Sequence, residues 1–133
     1  RAEGFADAYG YKTVFLATDD ESVVTEFRRK SKLEVLAVPV DRGIFDSSFF
    51  IEYRLLGGYT DASTVTKSTL IDLFLLAEAD VLVAGFGSHF GRVAFELSVY
   101  LKGTVPPYSS VDYPYCFHYN EKKPIGEWPA QYC

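Results

Sequence analysis

The sequence predicts an α/β fold with a Rossmann-like three-layer parallel sheet, and three stretches carry that prediction. Residues 13–38 read as strand, helix, strand. Residues 68–101 read as helix, strand, glycine turn, helix. The apolar run at residues 81–84 lacks the alternation of a half-solvated strand, as a parallel strand covered on both faces requires.

Taken in order, residues 1–10 read as a helical end stopped by Gly10. Residues 13–18, TVFLAT, are β-branched and apolar enough for an inner strand. Asp19, Asp20 and Glu21 follow at once. Thr18-x-x-Glu21 fits a capping box, and carboxylates suit a first helical turn. Ligands of open α/β sheets, however, bind beyond the carboxyl ends of the strands, where Asp19 and Asp20 fall, and two adjacent acids cannot both serve one cap. A helix over 22–32 buries Val23, Val24 and Phe27 and carries Arg28, Arg29 and Lys30 near its end, where cations are favoured. A strand at 33–38, ended by Pro39, completes a β-α-β unit with parallel strands and a right-handed crossover.

Residues 41–66 break every period at Asp41-Arg42-Gly43, Ser47-Ser48 and Gly57-Gly58, and read as a long loop of the kind that serves as a lid or binding loop. Phe49, Phe50, Ile51, Leu55 and Leu56 can pack it down. The helix at 68–78 is apolar nearly all round, which predicts burial and leaves Asp72 to be explained. Thr69-x-x-Asp72 fits a capping box. Alternatively, one carboxylate beside a cleft accepts two parallel hydrogen bonds, a pair that guanine offers at one edge and adenine does not.

After the strand at 81–84 come Gly85, Phe86 and Gly87, then a helix from His89 in which Phe90, Val93, Ala94, Leu97 and Leu101 recur at helical spacing. Arg92 and Glu96, four apart, are placed to pair on the solvent side. The first amides of a helix lack internal partners, so the turn suits an anion: Gly85 and Gly87 allow a phosphate close to the backbone, Ser88 offers a hydroxyl and His89 an imidazole. The simpler account makes Ser88 the N-cap and the glycines the turn. GFGSHF has Phe90 where the third glycine of a dinucleotide fingerprint belongs, and no acid is expected on a following strand because the chain runs into Val105-Pro106-Pro107-Tyr108. A dinucleotide is not predicted; a mononucleotide or nucleotide sugar fits.

Residues 104–133 form an aromatic, proline-rich tail. Its rings suit either a sugar-stacking surface or a cover for the core edge, and His118 a packing role. Cys116 and Cys133 are compatible with one disulfide or with two thiols; neither their number nor their spacing suits a metal.

At 133 residues, with 48% hydrophobic and 17% aromatic residues, the chain can bury a core. A net charge of −5 with scattered basic residues excludes a nucleic-acid surface. No apolar stretch is long enough to span a membrane and the start shows no signal-peptide pattern, so no membrane contact is expected of this segment. The absence of methionine and the start at Arg1 suggest an internal or processed piece of a longer protein.

Three runs, VFLATDD at 14–20, LIDLFLLAEADVLVAGFGSHFGRVAFEL at 70–97 and SSVDYPYCFHYN at 109–120, resemble the alpha-1,6-fucosyltransferase family, which moves fucose from GDP-fucose to the innermost N-acetylglucosamine of N-glycans in the Golgi. The resemblance implies a Rossmann-like, GDP-sugar-binding subdomain over 1–103, one half of a GT-B-like glycosyltransferase, with 104–133 packing on it. It places the family's acidic catalytic pair on Asp19 and Asp20 and its guanine-binding aspartate on Asp72. The family turn is similar to Phe-Ser-Ser-Gln, so Ser88 takes the place of a phosphate-contacting serine and Arg92 that of the following arginine. Gly87 stands where the family has serine and His89 where it has glutamine, so contacts on that side differ. The family's His-x-Arg-Arg motif and catalytic acid would precede Arg1, so this segment by itself is expected to be inactive.

The partners implied are a nucleotide sugar and a glycan acceptor. No cofactor or metal is expected, since nothing resembles a metal-binding Asp-x-Asp, and the implied location is the Golgi lumen with a membrane-anchored parent. A non-catalytic nucleotide-binding or structural module of a larger protein is the alternative.

Overall fold

A computed structural model describes residues 1–45 and 50–115. Cys116, His118, Cys133, the Ser47-Ser48 pair, Phe49 and most of the predicted aromatic tail lie outside the described residues. The chain divides into two compact units, Ala2–Leu75 and the part from Leu76 onward.

In the first unit, helix α1 (Ala2–Tyr9) precedes strand β1 (Thr13–Phe15), helix α2 (Glu21–Lys30) and strand β2 (Glu34–Leu36). β1 and β2 are parallel, with Val14 opposite Val35, so the predicted β-α-β unit is present. Both strands are shorter than the sequence suggests. Beyond Phe15 the ladder makes one further bond, Leu16 N–H to the Leu36 carbonyl at 2.8 Å, and the Thr18 carbonyl turns to a side chain instead. Neither strand is an inner one: Leu36 is 50% exposed, and among the described residues the sheet has two strands. Apolar burial in this unit centres on Ala6, Val24 and Val65.

Residues 41–66 are not the long irregular loop that their glycines imply. They contain a 3-10 helix (Arg42–Phe45), helix α3 (Ile51–Leu56) and the start of helix α4 (Ala62–Glu78). Asp61 starts α4 by accepting the Thr64 amide at 2.8 Å as well as the Thr64 hydroxyl. The polar, β-branched first turns conceal this start, because they carry none of the apolar periodicity that betrays the rest. α4 therefore begins well before Ser68. Thr69 and Asp72 lie in its interior, and the capping-box reading of that pair is corrected: interior amides already have helical partners. The expected all-round burial is corrected as well, since Leu70, Ile71, Phe74 and Leu75 are 47%, 47%, 50% and 43% exposed.

The second unit holds strand β3 (Leu82–Ala84), helix α5 (His89–Lys102) and strand β4 (Tyr108–Ser110). β3 and β4 are parallel, with Leu82 opposite Tyr108 and Ala84 opposite Ser110, so the first residues of the predicted tail complete a second β-α-β unit. Pro106 and Pro107 do not prevent this strand. They precede the ladder, where a missing N–H costs nothing, and the Pro107 carbonyl accepts the Leu82 amide at 3.1 Å. Gly103 ends α5 at φ 66°, and its amide returns to the Val99 carbonyl.

The core of this unit is aromatic. Leu82, Phe86 and Phe95 are buried, with Leu76, Ala84, Val99 and Tyr115 packed against them. Phe86 lies 5.4 Å from Phe95, 5.7 Å from Tyr108 and 5.6 Å from Tyr115 between ring centroids, the last edge-on. Such tilted and edge-to-face pairs satisfy the ring quadrupoles. The described residues thus show an α/β chain with two separate parallel strand pairs, not a three-layer sheet.

Candidate functional site

The glycine turn between β3 and α5 is built as an anion cradle, and it is occupied by the chain itself. Asp112, two residues past β4, accepts the Phe86 amide at 2.7 Å on Oδ1 and the Gly87 amide at 3.1 Å on Oδ2. The Ser110 hydroxyl and the Tyr113 amide also donate to Oδ1, at 3.1 and 2.6 Å. The two glycines make room for this carboxylate. A Cβ at Gly85 would stand 3.0 Å from Asp112 Oδ2, and one at Gly87 2.8 Å. β4 itself carries no acid; the carboxylate that serves the turn stands two residues beyond it.

Burial is the largest single influence on Asp112 and pushes its carboxyl up. The hydrogen bonds from Tyr113, Gly87, Ser110 and Phe86 together outweigh it and hold the group below the ordinary aspartate value. A depressed folded value means stability that is present above the unfolded pKa, about 4, and lost as pH falls through the folded one. Asp112→Asn is expected to cost about 1–2 kcal/mol near neutrality, discounted for exposure, and to lose its deficit against wild type as pH drops below about 4. Parallel urea titrations at several pH values check this, and a pH-independent deficit would refute it.

Ser88 is the N-cap of α5, as the simpler account has it, and its Oγ accepts the Phe90 amide at 3.2 Å. Its own amide donates to the Gly85 carbonyl at 3.3 Å. His89 opens the helix on an exposed position. Arg92 and Glu96, expected to pair with each other, are each engaged with the aromatic core. The Arg92 Nε donates to the Phe86 carbonyl at 2.6 Å and its guanidinium lies 5.6 Å from the centre of the Tyr115 ring. The Tyr115 hydroxyl donates to Glu96 Oε1 at 2.6 Å, and that bond is the main reason the phenol is held above its usual pKa. Gly87, Ser88, His89 and Arg92 are thus gathered on one turn and the first turn of one helix.

In the first unit the acidic loop divides its labour. Asp20 is the N-cap of α2, accepting the Ser22 amide at 2.7 Å, and that Ser22 bonding holds its carboxyl low. The cap is therefore Asp20 and not the predicted Thr18, whose hydroxyl instead accepts the Asp20 amide at 3.2 Å. Asp19 is exposed and has no part in that cap. Glu21 accepts from Arg42 Nη1 at 2.8 Å. The Arg42 guanidinium is buried, and its other nitrogens donate to the Thr18 carbonyl (Nε, 3.0 Å) and the Val38 carbonyl (Nη2, 3.1 Å).

Asp72, inside α4, has a buried Oδ1 with no hydrogen-bond partner among the described residues. Burial pushes its carboxyl above the usual value, and the Arg42 charge partly opposes that. A buried carboxylate oxygen without a donor is costly unless something supplies one. Asp72 is accordingly the predicted site residue whose surroundings most call for a ligand.

Sequence reasoning missed Asp112 and Arg42. Asp112 lay within a quoted run of the resemblance, but its partner amides are 26 and 25 positions away. Arg42 stood in a stretch read as irregular. Among the described residues no three His, Cys, Asp or Glu side chains come together to hold a metal, and no helix is long and apolar enough to cross a membrane. No family model matches the sequence.

Proposed function

We propose that this chain carries the donor-nucleotide half of a GDP-fucose-dependent glycosyltransferase acting on an N-acetylglucosamine-containing glycan, with a Rossmann-like layered sheet completed by more of the same protein. The observation that carries the reading is the Oδ1 of Asp72, buried and without a hydrogen-bond partner among the described residues, on a carboxylate of the kind that accepts the paired N–H groups of the guanine edge. The resemblance of three runs to alpha-1,6-fucosyltransferases supports the same assignment. In this reading Asp19 is the free member of the acidic pair, and Asp20 serves the fold as well as the site. The resemblance assigns Ser88, His89 and Arg92 to phosphate contacts, and in the second unit such contacts fall to side chains, because Asp112 already holds the Phe86 and Gly87 amides. Asp112 also favours a second reading: with the cradle internally filled, the unit is a structural module that keeps the fold without the chemistry.

Calorimetric titration with GDP and with ADP separates the two, and equal affinities would refute the first. Asp72→Ala is expected to lower the GDP-to-ADP affinity ratio by at least about tenfold, the equivalent of one charge-assisted hydrogen bond. An unchanged ratio would remove Asp72 from base recognition.

A further inference from the structure

Arg92 and Glu96 stand four apart on α5, the spacing at which opposite charges pair. The pair does not form: the ion pairs among the described residues are Lys30 with Glu26 and Arg42 with Glu21. One ring meets both side chains instead. The Tyr115 hydroxyl donates to Glu96 Oε1 at 2.6 Å, and the Arg92 guanidinium carbon lies 5.6 Å from the Tyr115 ring centre, within reach of a cation–π contact. The ring is itself held, edge-on to Phe86 at 5.6 Å and tilted against Phe95 at 5.3 Å. Arg92 Nε donates to the Phe86 carbonyl at 2.6 Å, in the glycine turn that leads to Ser88. A hydrogen bond to a carboxylate outweighs an exposed i,i+4 pair, and the order here, basic residue first, is the weaker one. The hydroxyl therefore keeps Glu96, and the guanidinium stays with the ring and the turn.

We propose that Tyr115 is a positioning residue that keeps the Arg92 guanidinium at the glycine turn by holding the Glu96 carboxylate away from it. The proposal rests on the reading of Arg92 as a diphosphate contact. Without the hydroxyl the ring and its cation–π contact remain, but Glu96 is released. Glu96 lies one turn further along α5 than Arg92, so pairing with it draws the guanidinium away from the Phe86 carbonyl. It also sets a negative charge beside the positive one that would receive phosphate, where like charges repel. The affinity lost is that of the diphosphate, since the carboxylate assigned to the base is untouched. Tyr115 thus acts on the anion through Arg92.

The test compares wild type, Tyr115→Phe, Glu96→Gln and the double variant. Calorimetric titration with GDP and with guanosine isolates the diphosphate contribution, and hydrogen exchange of the Arg92 Nε–H, followed by NMR, reports the bond to the Phe86 carbonyl. In Tyr115→Phe the GDP-to-guanosine affinity ratio should fall about threefold or more, and the Nε–H should exchange faster by a similar factor. Glu96→Gln should leave both at their wild-type values and, in the double variant, should restore both, which a mere loss of packing by Tyr115 would not allow. Unchanged exchange in Tyr115→Phe, or no restoration in the double variant, overturns the positioning role. A wild type that binds GDP no better than guanosine overturns the diphosphate reading of Arg92 instead, while the Nε–H exchange still decides whether Tyr115 positions it.

Discussion

Phe86→Ala is expected to destabilise the second unit by about 3–5 kcal/mol, the range for deleting a fully buried aromatic ring. Phe86 is 0% exposed and is ringed by Phe95, Tyr108 and Tyr115, with Leu82 in the same cluster. Truncation removes the apolar area of the ring and leaves a void that these neighbours cannot fill without leaving their own positions, so a cavity cost adds to the transfer cost. The backbone of the same residue matters too: its amide holds Asp112 and its carbonyl takes Arg92, so collapse around the void would disturb the turn itself. Urea unfolding followed by circular dichroism should show the midpoint lowered by about 2 M. An unfolding free energy within about 0.5 kcal/mol of wild type would mean that Phe86 is not the centre of this core.

The second large effect is a contrast between two helical glycines. A Cβ at Gly91 would lie 2.4 Å from the Gly85 carbonyl oxygen and 3.3 Å from the Ala84 methyl, so alanine there forces main chain apart. The overpacking cost, about 1–3 kcal/mol, exceeds the helix-propensity gain of about 1 kcal/mol that Gly→Ala otherwise brings. A larger residue such as valine should be worse still. Gly4, in α1, meets nothing within 4 Å, so Gly4→Ala should stabilise by about 0.5–1 kcal/mol. Opposite signs for the two alanine variants in the same unfolding assay are the expected result. A stabilising Gly91→Ala would show that the approach of α5 to the β3 turn is looser than described. Gly91 thus supplies the close helix-to-turn packing of a fingerprint's third glycine, one position after the place at which Phe90 breaks the motif.

Local order was legible wherever a local pattern causes it. Gly10, the apolar run at Leu82–Ala84, the Ser88 cap and the 3.6-residue periodicity after it all act within a few residues, so the elements they mark were readable in the chain. The start of α4 was not, because Asp61 and Thr64 make a cap that precedes any apolar repeat. Strand β4 was concealed by Pro106 and Pro107, whose presence says nothing about a ladder that begins at Tyr108.

The candidate site divides along the same line. By itself the sequence determined that an anion-friendly turn follows β3, that an acidic pair follows β1, and that one carboxylate sits in an otherwise apolar helix, because each depends on neighbours in the chain. Only the tertiary structure decided that Asp112 fills the turn and that Arg42 sits behind the acidic loop, bonded to Thr18 and Glu21. Those outcomes rest on hydrogen bonds and charges between groups about 20 or more residues apart, which exist once parallel strands bring their carboxyl ends side by side and which no local pattern encodes.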